Sequence, residues 1–230
     1  MKKYEFLLWD VDDTLLDFLK SERYALSNCF EKFNLSITDE IIDSYSQINH
    51  SYWKRLERGE IDKNTVLYGR FETLFNKLNI TSIDITVFQR EYQNALGSVF
   101  YIQDQATQLL KRLSKDFKLY LVTNGVATVQ RNKLNLSGIN EIVDDIFISE
   151  EIGYVKPQKE FFDRCFAKIP DFEKEKAIII GDSLSSDIKG GNNASIATCW
   201  YNPRKAINST NSKVDYEICN LNEIESVIWR

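Results

Sequence analysis

The chain has 230 residues, 43% hydrophobic, 27% charged and 13% aromatic, with 9 Gly and 3 Pro, which excludes disordered, collagen-like and low-complexity classes. Acidic side chains outnumber basic ones 34 to 29, and the net charge of −5 argues against nucleic acid or an anionic membrane as the main partner. A chain of this length holds one core domain, or one core domain with a modest insertion.

The first apolar run is Phe6-Leu7-Leu8-Trp9, ending at Asp10. It is too short for a signal-peptide core, and no stretch approaches the length that spans a bilayer. From about Phe18 to Tyr101 the pattern is helical. Leu26, Cys29, Phe30 and Phe33 form one stripe, and Ile41, Tyr45, Ile48 and Tyr52 a second, between an expected Thr38 N-cap and a stop at Gly59. Leu67, Phe71, Leu74 and Leu78 form a third, and Phe88, Tyr92, Ala95 and Val99 a fourth. Four amphipathic helices in sequence predict a small bundle. From Asp104 onward the chain alternates helical stretches with short apolar runs: Leu119 to Val122, Ile146 to Ile148, Ala177 to Ile180 and Ile196 to Trp200. Such runs between helices are the signature of parallel strands buried on both faces. The predicted fold is α/β, a doubly wound parallel sheet formed by residues 1–16 and 102–230, with an inserted α-helical bundle at 17–101. Cys29, Cys165, Cys199 and Cys219 show no C-x-x-C spacing and no histidine nearby, so they read as core hydrophobes of a reduced, soluble, cytoplasmic protein.

In open parallel sheets, ligands bind beyond the carboxyl ends of the strands. There the chain places Asp10-Val11-Asp12-Asp13-Thr14, then Thr123-Asn124-Gly125, then Lys156-Pro157 a short loop after the third run, then Gly181-Asp182 with Asp187. Asp10 and Asp182 are hard oxygen donors suited to Mg²⁺. A carboxylate beside such an ion can attack phosphorus, and Asp12, two residues on, can give and take a proton. Thr123 and the backbone N–H groups after it form a phosphate cradle, and Lys156 offsets the crowded negative charge.

These four motifs, in this order, resemble those of the haloacid dehalogenase-like (HAD) hydrolase superfamily, across essentially the whole chain. The resemblance implies a Rossmann-like core with a helical cap that closes over the site. It implies Asp10 as nucleophile and metal ligand, Asp12 as general acid/base and ligand through its carbonyl, and Asp182 as metal ligand. It further implies Thr123, Asn124 and Lys156 as phosphate-binding residues, with Asp187 orienting Asp182 or a metal-bound water. The stretches Phe147 to Gly153 and Thr198 to Asn202 are similar to the pyrimidine-type 5′-nucleotidase branch. The expected activity is Mg²⁺-dependent hydrolysis of a small phosphorylated metabolite, a nucleoside monophosphate, by a monomer or homodimer with no nucleic-acid or membrane partner.

Each residue also has a plainer reading. Asp10, Asp12, Thr123 and Asn124 could be capping or turn residues, Lys156 a solvated lysine, and Asp187 a loop stiffener. Asp13 and Asp17 read as capping or solvated acids, and Asp144 and Asp145 as loop carboxylates. The aromatics of the insertion read as bundle core, and Arg55, Arg58 and Arg70 as surface charges or salt-bridge partners. The only histidine, His50, falls in the second insertion helix, away from every strand end, which removes histidine-based phosphatases and Ser-His-Asp hydrolases. Sugar-phosphate phosphatase, phosphomutase, metal-independent carbon–halogen hydrolase and a silent phosphate-binding protein are the alternatives on the same scaffold.

Overall fold

A computed structural model describes residues 2–229. Among them, six strands form one sheet in the order β3-β2-β1-β4-β5-β6: β1 (Phe6–Trp9), β2 (Lys118–Thr123), β3 (Asp145–Ile148), β4 (Ala177–Gly181), β5 (Ala197–Tyr201) and β6 (Tyr216–Ile218). Every neighbouring pair is parallel. Helices α5 (Ala106–Leu113), α6 (Ala127–Ser137), α7 (Ser149–Ile152), α8 (Lys159–Phe166), α9 (Lys189–Ala194) and α10 (Ile224–Ile228) connect or follow the strands. The sheet is the expected α/β doubly wound type. β6, with three residues and one of them exposed, carries too little apolar signal to be read as a strand beforehand.

The strand runs are continuously apolar because successive side chains enter two different cores. Leu7, Trp9, Leu119, Leu121, Ile178 and Ile180 pack on one face, with Leu109 and Leu110 of α5, Leu134 of α6, and Ile224 and Ile228 of α10. Phe6, Leu8, Tyr120, Val122 and Ile179 pack on the other, with Phe161, Phe162 and Cys165 of α8 and Ala194 of α9. The order 3-2-1-4-5-6 reverses winding direction at β1 and β4, so the crevice for a ligand opens beyond their carboxyl ends. Trp9 stands level with Leu121 on one side and Ile180 on the other. The residues that follow these three strands therefore start from the same edge.

The chain divides into two compact units, residues 1–17 with 100–230, and residues 18–99. The second contains α1 (Phe18–Lys32), α2 (Asp39–Glu57), α3 (Lys63–Leu78) and α4 (Ile85–Leu96). Three of these helices start on an N-cap side chain that accepts the N3 amide: Thr38 from Ile41, Asp62 from Thr65 and Asp84 from Val87. Its core is aromatic, with Phe71 against Tyr45, Phe88 and Tyr92 at ring separations of 5.0–5.2 Å. Arg70 departs from its reading as a surface charge. It is 1% exposed, donates to Asn49 Oδ1 at 2.8 Å and Gln89 Oε1 at 3.1 Å, and lies over the Phe71 and Tyr92 rings. Asn49 in turn donates to Glu22 Oε1 at 2.6 Å, so α1, α2, α3 and α4 are joined through one buried polar chain. Helical periodicity locates a face, but it cannot tell that an arginine on that face will be stacked between rings and hydrogen-bonded inside.

Candidate active site

Asp10 leaves β1 with its amide bonded to the Ile180 carbonyl at 2.9 Å, so its position is fixed by the last rung of the β1–β4 ladder. Its carboxylate is buried. Oδ1 accepts from Lys156 Nζ at 2.6 Å, and Thr14 Oγ1 lies 3.2 Å from Oδ2. Thr14, wholly buried, accepts the Asp182 amide at 3.1 Å and lies 3.4 Å from Asp182 Oδ1. The Thr14 hydroxyl thus lies between two carboxylates, and the bond it accepts from the Asp182 amide holds the ends of β1 and β4 together. Trp200 at the end of β5 adds a further tie, donating its indole N–H to the Asp182 carbonyl at 2.8 Å.

Lys156 is buried, and its ammonium also donates to the Val122 carbonyl at 2.7 Å and Asp187 Oδ1 at 2.7 Å. Burial pulls its pKa down, but Asp10 and Asp187 together outweigh that, so the ammonium is held more strongly protonated than a free lysine. Asp187 is likewise buried and takes the Ser183 amide on Oδ2 at 3.0 Å. Its carboxyl group occupies the place of a side chain on Gly181, where a Cβ would come within 2.3 Å of it. Glycine at the end of β4 is therefore needed for the approach of Asp187 to Lys156.

Asn124 secures Lys156 at the main chain, donating to its carbonyl at 2.9 Å and accepting its amide at 2.8 Å. Thr123 is buried, and its Oγ1 accepts the Gly125 amide at 3.0 Å. Asp12 lies in the turn after β1, where the amides of Leu15 and Leu16 both return to the Val11 carbonyl at 2.9 Å. It is held by two residues of α6: Gln130 Nε2 reaches Oδ2 at 2.8 Å and Lys133 Nζ reaches Oδ1 at 2.6 Å. The fold thus brings Asp10, Lys156, Asp182 and Asp187 into one cluster, and joins Asp12 and Thr123 through Gln130, which also donates to Thr123 Oγ1 at 2.7 Å.

Thr14, Gln130, Lys133 and Trp200 carry connections that no reading of the sequence assigned. Thr14 was visible only as the last letter of the first motif. Gln130 and Lys133 share one face of α6 at i, i+3, seven and ten residues after Thr123, a signal that becomes meaningful only once both prove to be buried.

One ligand oxygen each from Asp10, Asp182 and Asp187 lies within 4.8 Å of the others, an all-oxygen set that fits a hard divalent cation such as Mg²⁺. The charge balance fits too. The three carboxylates and the one ammonium of Lys156 leave two negative charges within the cluster, and one divalent ion compensates them. Burial, reinforced by the Asp187 charge and opposed by Lys156, raises the Asp10 carboxyl to about 7 in the metal-free protein.

The profile of the haloacid dehalogenase-like hydrolases matches residues 7–201. YfnB of Bacillus subtilis, which bears a HAD-hydrolase name, is 39% identical over 99% of this chain and 97% of its own length. Its crystal structure, bound to magnesium, aligns with a TM-score of 0.93 over 99% of each chain. The pyrimidine 5′-nucleotidase PynA of Streptococcus pneumoniae is 37% identical, covering 94% of this chain and 91% of its own. The pyrimidine 5′-nucleotidase YjjG of Escherichia coli is 27% identical over 99% of both.

Proposed function

The chain belongs to the haloacid dehalogenase-like hydrolases, and within that family of enzymes we propose that it is a Mg²⁺-dependent phosphatase of pyrimidine nucleoside 5′-monophosphates. The observation that carries this reading is the buried cluster of Asp10, Asp182, Asp187 and Lys156 beyond β1 and β4. Similarity to two pyrimidine 5′-nucleotidases over nearly the full chain supports the choice of substrate.

In this reading Asp10, Asp182 and the Asp12 carbonyl hold the cation, which when bound neutralises charge on the phosphoryl group and on the carboxylates facing it. Asp10 attacks phosphorus in line as the bond to the nucleoside 5′-oxygen breaks, and an aspartyl-phosphate forms on its side chain. Asp12 hands a proton to the departing oxygen. It then takes one from the water that cleaves the acyl-phosphate, returning the enzyme to its starting protonation state. Lys156 and the Thr123 hydroxyl hold phosphoryl oxygens, and Asp187 keeps the Lys156 ammonium directed at the site. Asn124 contributes by fixing the Lys156 backbone.

The test is phosphate release by the purified protein with Mg²⁺ from pyrimidine and purine nucleoside monophosphates, sugar phosphates and p-nitrophenyl phosphate. Pyrimidine nucleotides are expected to be turned over with the highest kcat/KM. Preference for sugar phosphates overturns the nucleotidase reading and leaves a phosphatase. Asp10→Asn is expected to lower turnover by about 10⁴-fold or more while the fold is retained. Retention of more than a few per cent of activity removes Asp10 as nucleophile.

A further inference from the structure

Resting on the phosphatase reading above, we infer that Gln130 and Lys133 of α6 are positioning residues that set Asp12 for proton transfer and Thr123 for phosphoryl binding. A helix face that packs on a sheet is ordinarily apolar. Here Gln130 and Lys133 lie between Val129 and Leu134 on the buried face of α6, and neither has exposed surface. A buried ammonium is costly without a partner, and Lys133 Nζ meets Asp12 Oδ1 at 2.6 Å, where it steadies the carboxylate that Asp12 becomes once its proton has passed to the leaving oxygen.

Gln130 divides one amide nitrogen between the two groups. Its Nε2 donates one hydrogen to Asp12 Oδ2 at 2.8 Å and the other to Thr123 Oγ1 at 2.7 Å. Thr123 Oγ1 also accepts the Gly125 amide at 3.0 Å, so both lone pairs of the hydroxyl are taken. Its proton is then what it has to offer, and the group acts as a donor, the polarity a phosphoryl oxygen requires. Two further observations show that this arrangement is set by the site. Gln130 Oε1 is buried with no hydrogen-bond partner among the described residues, so the amide is oriented by the two donations from Nε2, both of which reversing it would forfeit. A Cβ on Gly125 would lie 2.5 Å from Gln130 Nε2, so the glycine that closes the second motif leaves room for the Gln130 side chain to cross.

With both Asp12 oxygens gripped from one side, the carboxyl group has a single stance, and the proton it passes to the leaving oxygen and recovers from water travels a fixed path. The consequence depends on the leaving group. A nucleoside 5′-oxygen must be protonated as it departs, whereas p-nitrophenolate leaves as an anion.

The experiment compares kcat/KM, which reads through departure of the leaving group, for a pyrimidine nucleoside 5′-monophosphate and for p-nitrophenyl phosphate in wild type, Lys133→Met and Gln130→Met. Lys133→Met is expected to lose about 10-fold or more activity on the nucleotide beyond its loss on p-nitrophenyl phosphate. Gln130→Met is expected to show the same excess on the nucleotide, together with a loss common to both esters from the slackened Thr123. Gln130→Met exchanges a neutral side chain for one of similar size and decides the matter even if removing the buried ammonium prevents folding. Equal losses on the two esters, or unchanged kcat/KM with only a lower melting temperature, overturn the inference and leave both residues as packing elements. A wild type without phosphomonoesterase activity overturns the proposed function as well. An active wild type whose variants lose evenly overturns this inference alone.

Discussion

Both units of the protein bury charge, and they do so to opposite ends. In the helical unit, Glu22 and Arg70 are linked through Asn49, with Gln89 and two aromatic faces completing the surroundings of the guanidinium. One negative and one positive group cancel. Burial pushes the Glu22 carboxyl above its usual range, and hydrogen bonds from Ser46 and Asn49 and the Arg70 charge oppose it. In the α/β unit the cluster beyond β1 and β4 does not cancel, since Lys156 pairs with Asp10 and Asp187 while Asp182 adds a third carboxylate beside them. A balanced network ties helices together, while an unbalanced one is an invitation to a cation or to a reacting group.

That contrast can be broken in four ways. Removing divalent ions with EDTA is expected to lower phosphate release about 10³-fold or more, with recovery on adding Mg²⁺ and no change in the far-ultraviolet circular dichroism. Retained turnover in the chelator would mean that the cluster is balanced in another way. In the helical unit, Arg70→Met strands the buried Glu22 carboxylate and is expected to cost about 3 kcal/mol in denaturant unfolding, most of it recovered in the double variant with Glu22→Gln. If the double variant is as unstable as the single one, the loss lies in packing over Phe71 and Tyr92 and not in charge.

The third test uses pH. The Asp10 carboxyl is raised from 3.8 to about 7, so the folded protein holds that proton more tightly than the unfolded chain does. Its contribution to stability is full below pH 4 and is lost as pH rises toward 7. Metal-free Asp10→Asn should therefore be more stable than wild type at pH 8, by about 1–3 kcal/mol, with the gain shrinking toward pH 4. Mg²⁺ should stabilise wild type more than the variant and so narrow or reverse the difference. A pH-independent difference removes Asp10 from the titration. The smallest effect is expected from Trp200→Phe, which deletes one hydrogen bond to the Asp182 carbonyl. A rise of about fivefold in the Mg²⁺ concentration for half-maximal activity corresponds to about 1 kcal/mol.

Much of the fold was legible because its signals are local and repeated. Runs such as Ala177 to Ile180 need no partner information to be recognised as strands buried on two faces, and the stripes of α1 to α4 follow from a period of 3.6. The four motifs were legible for a different reason. A parallel sheet aligns the carboxyl ends of its strands, so residues that end or follow distant strands, Asp10, Thr123 and Asp182 among them, can be placed on one edge before any coordinate is known. Arg70 and Lys133 show where this reading stops. Both are polar letters at helical positions, and sequence alone favours solvent for each.

The sequence by itself determined the α/β alternation, the helical insertion, the strand-end carboxylates and the shortage of histidine. Only the tertiary structure decided which groups face one another: Lys156 between Asp10 and Asp187, Thr14 between Asp10 and Asp182, and Gln130 between Asp12 and Thr123. The reason is physical. Periodicity and strand order are properties of the chain's own geometry. The partner of a buried polar group is set by the desolvation that packing imposes on it, and that cost exists only once the helices have closed on the sheet.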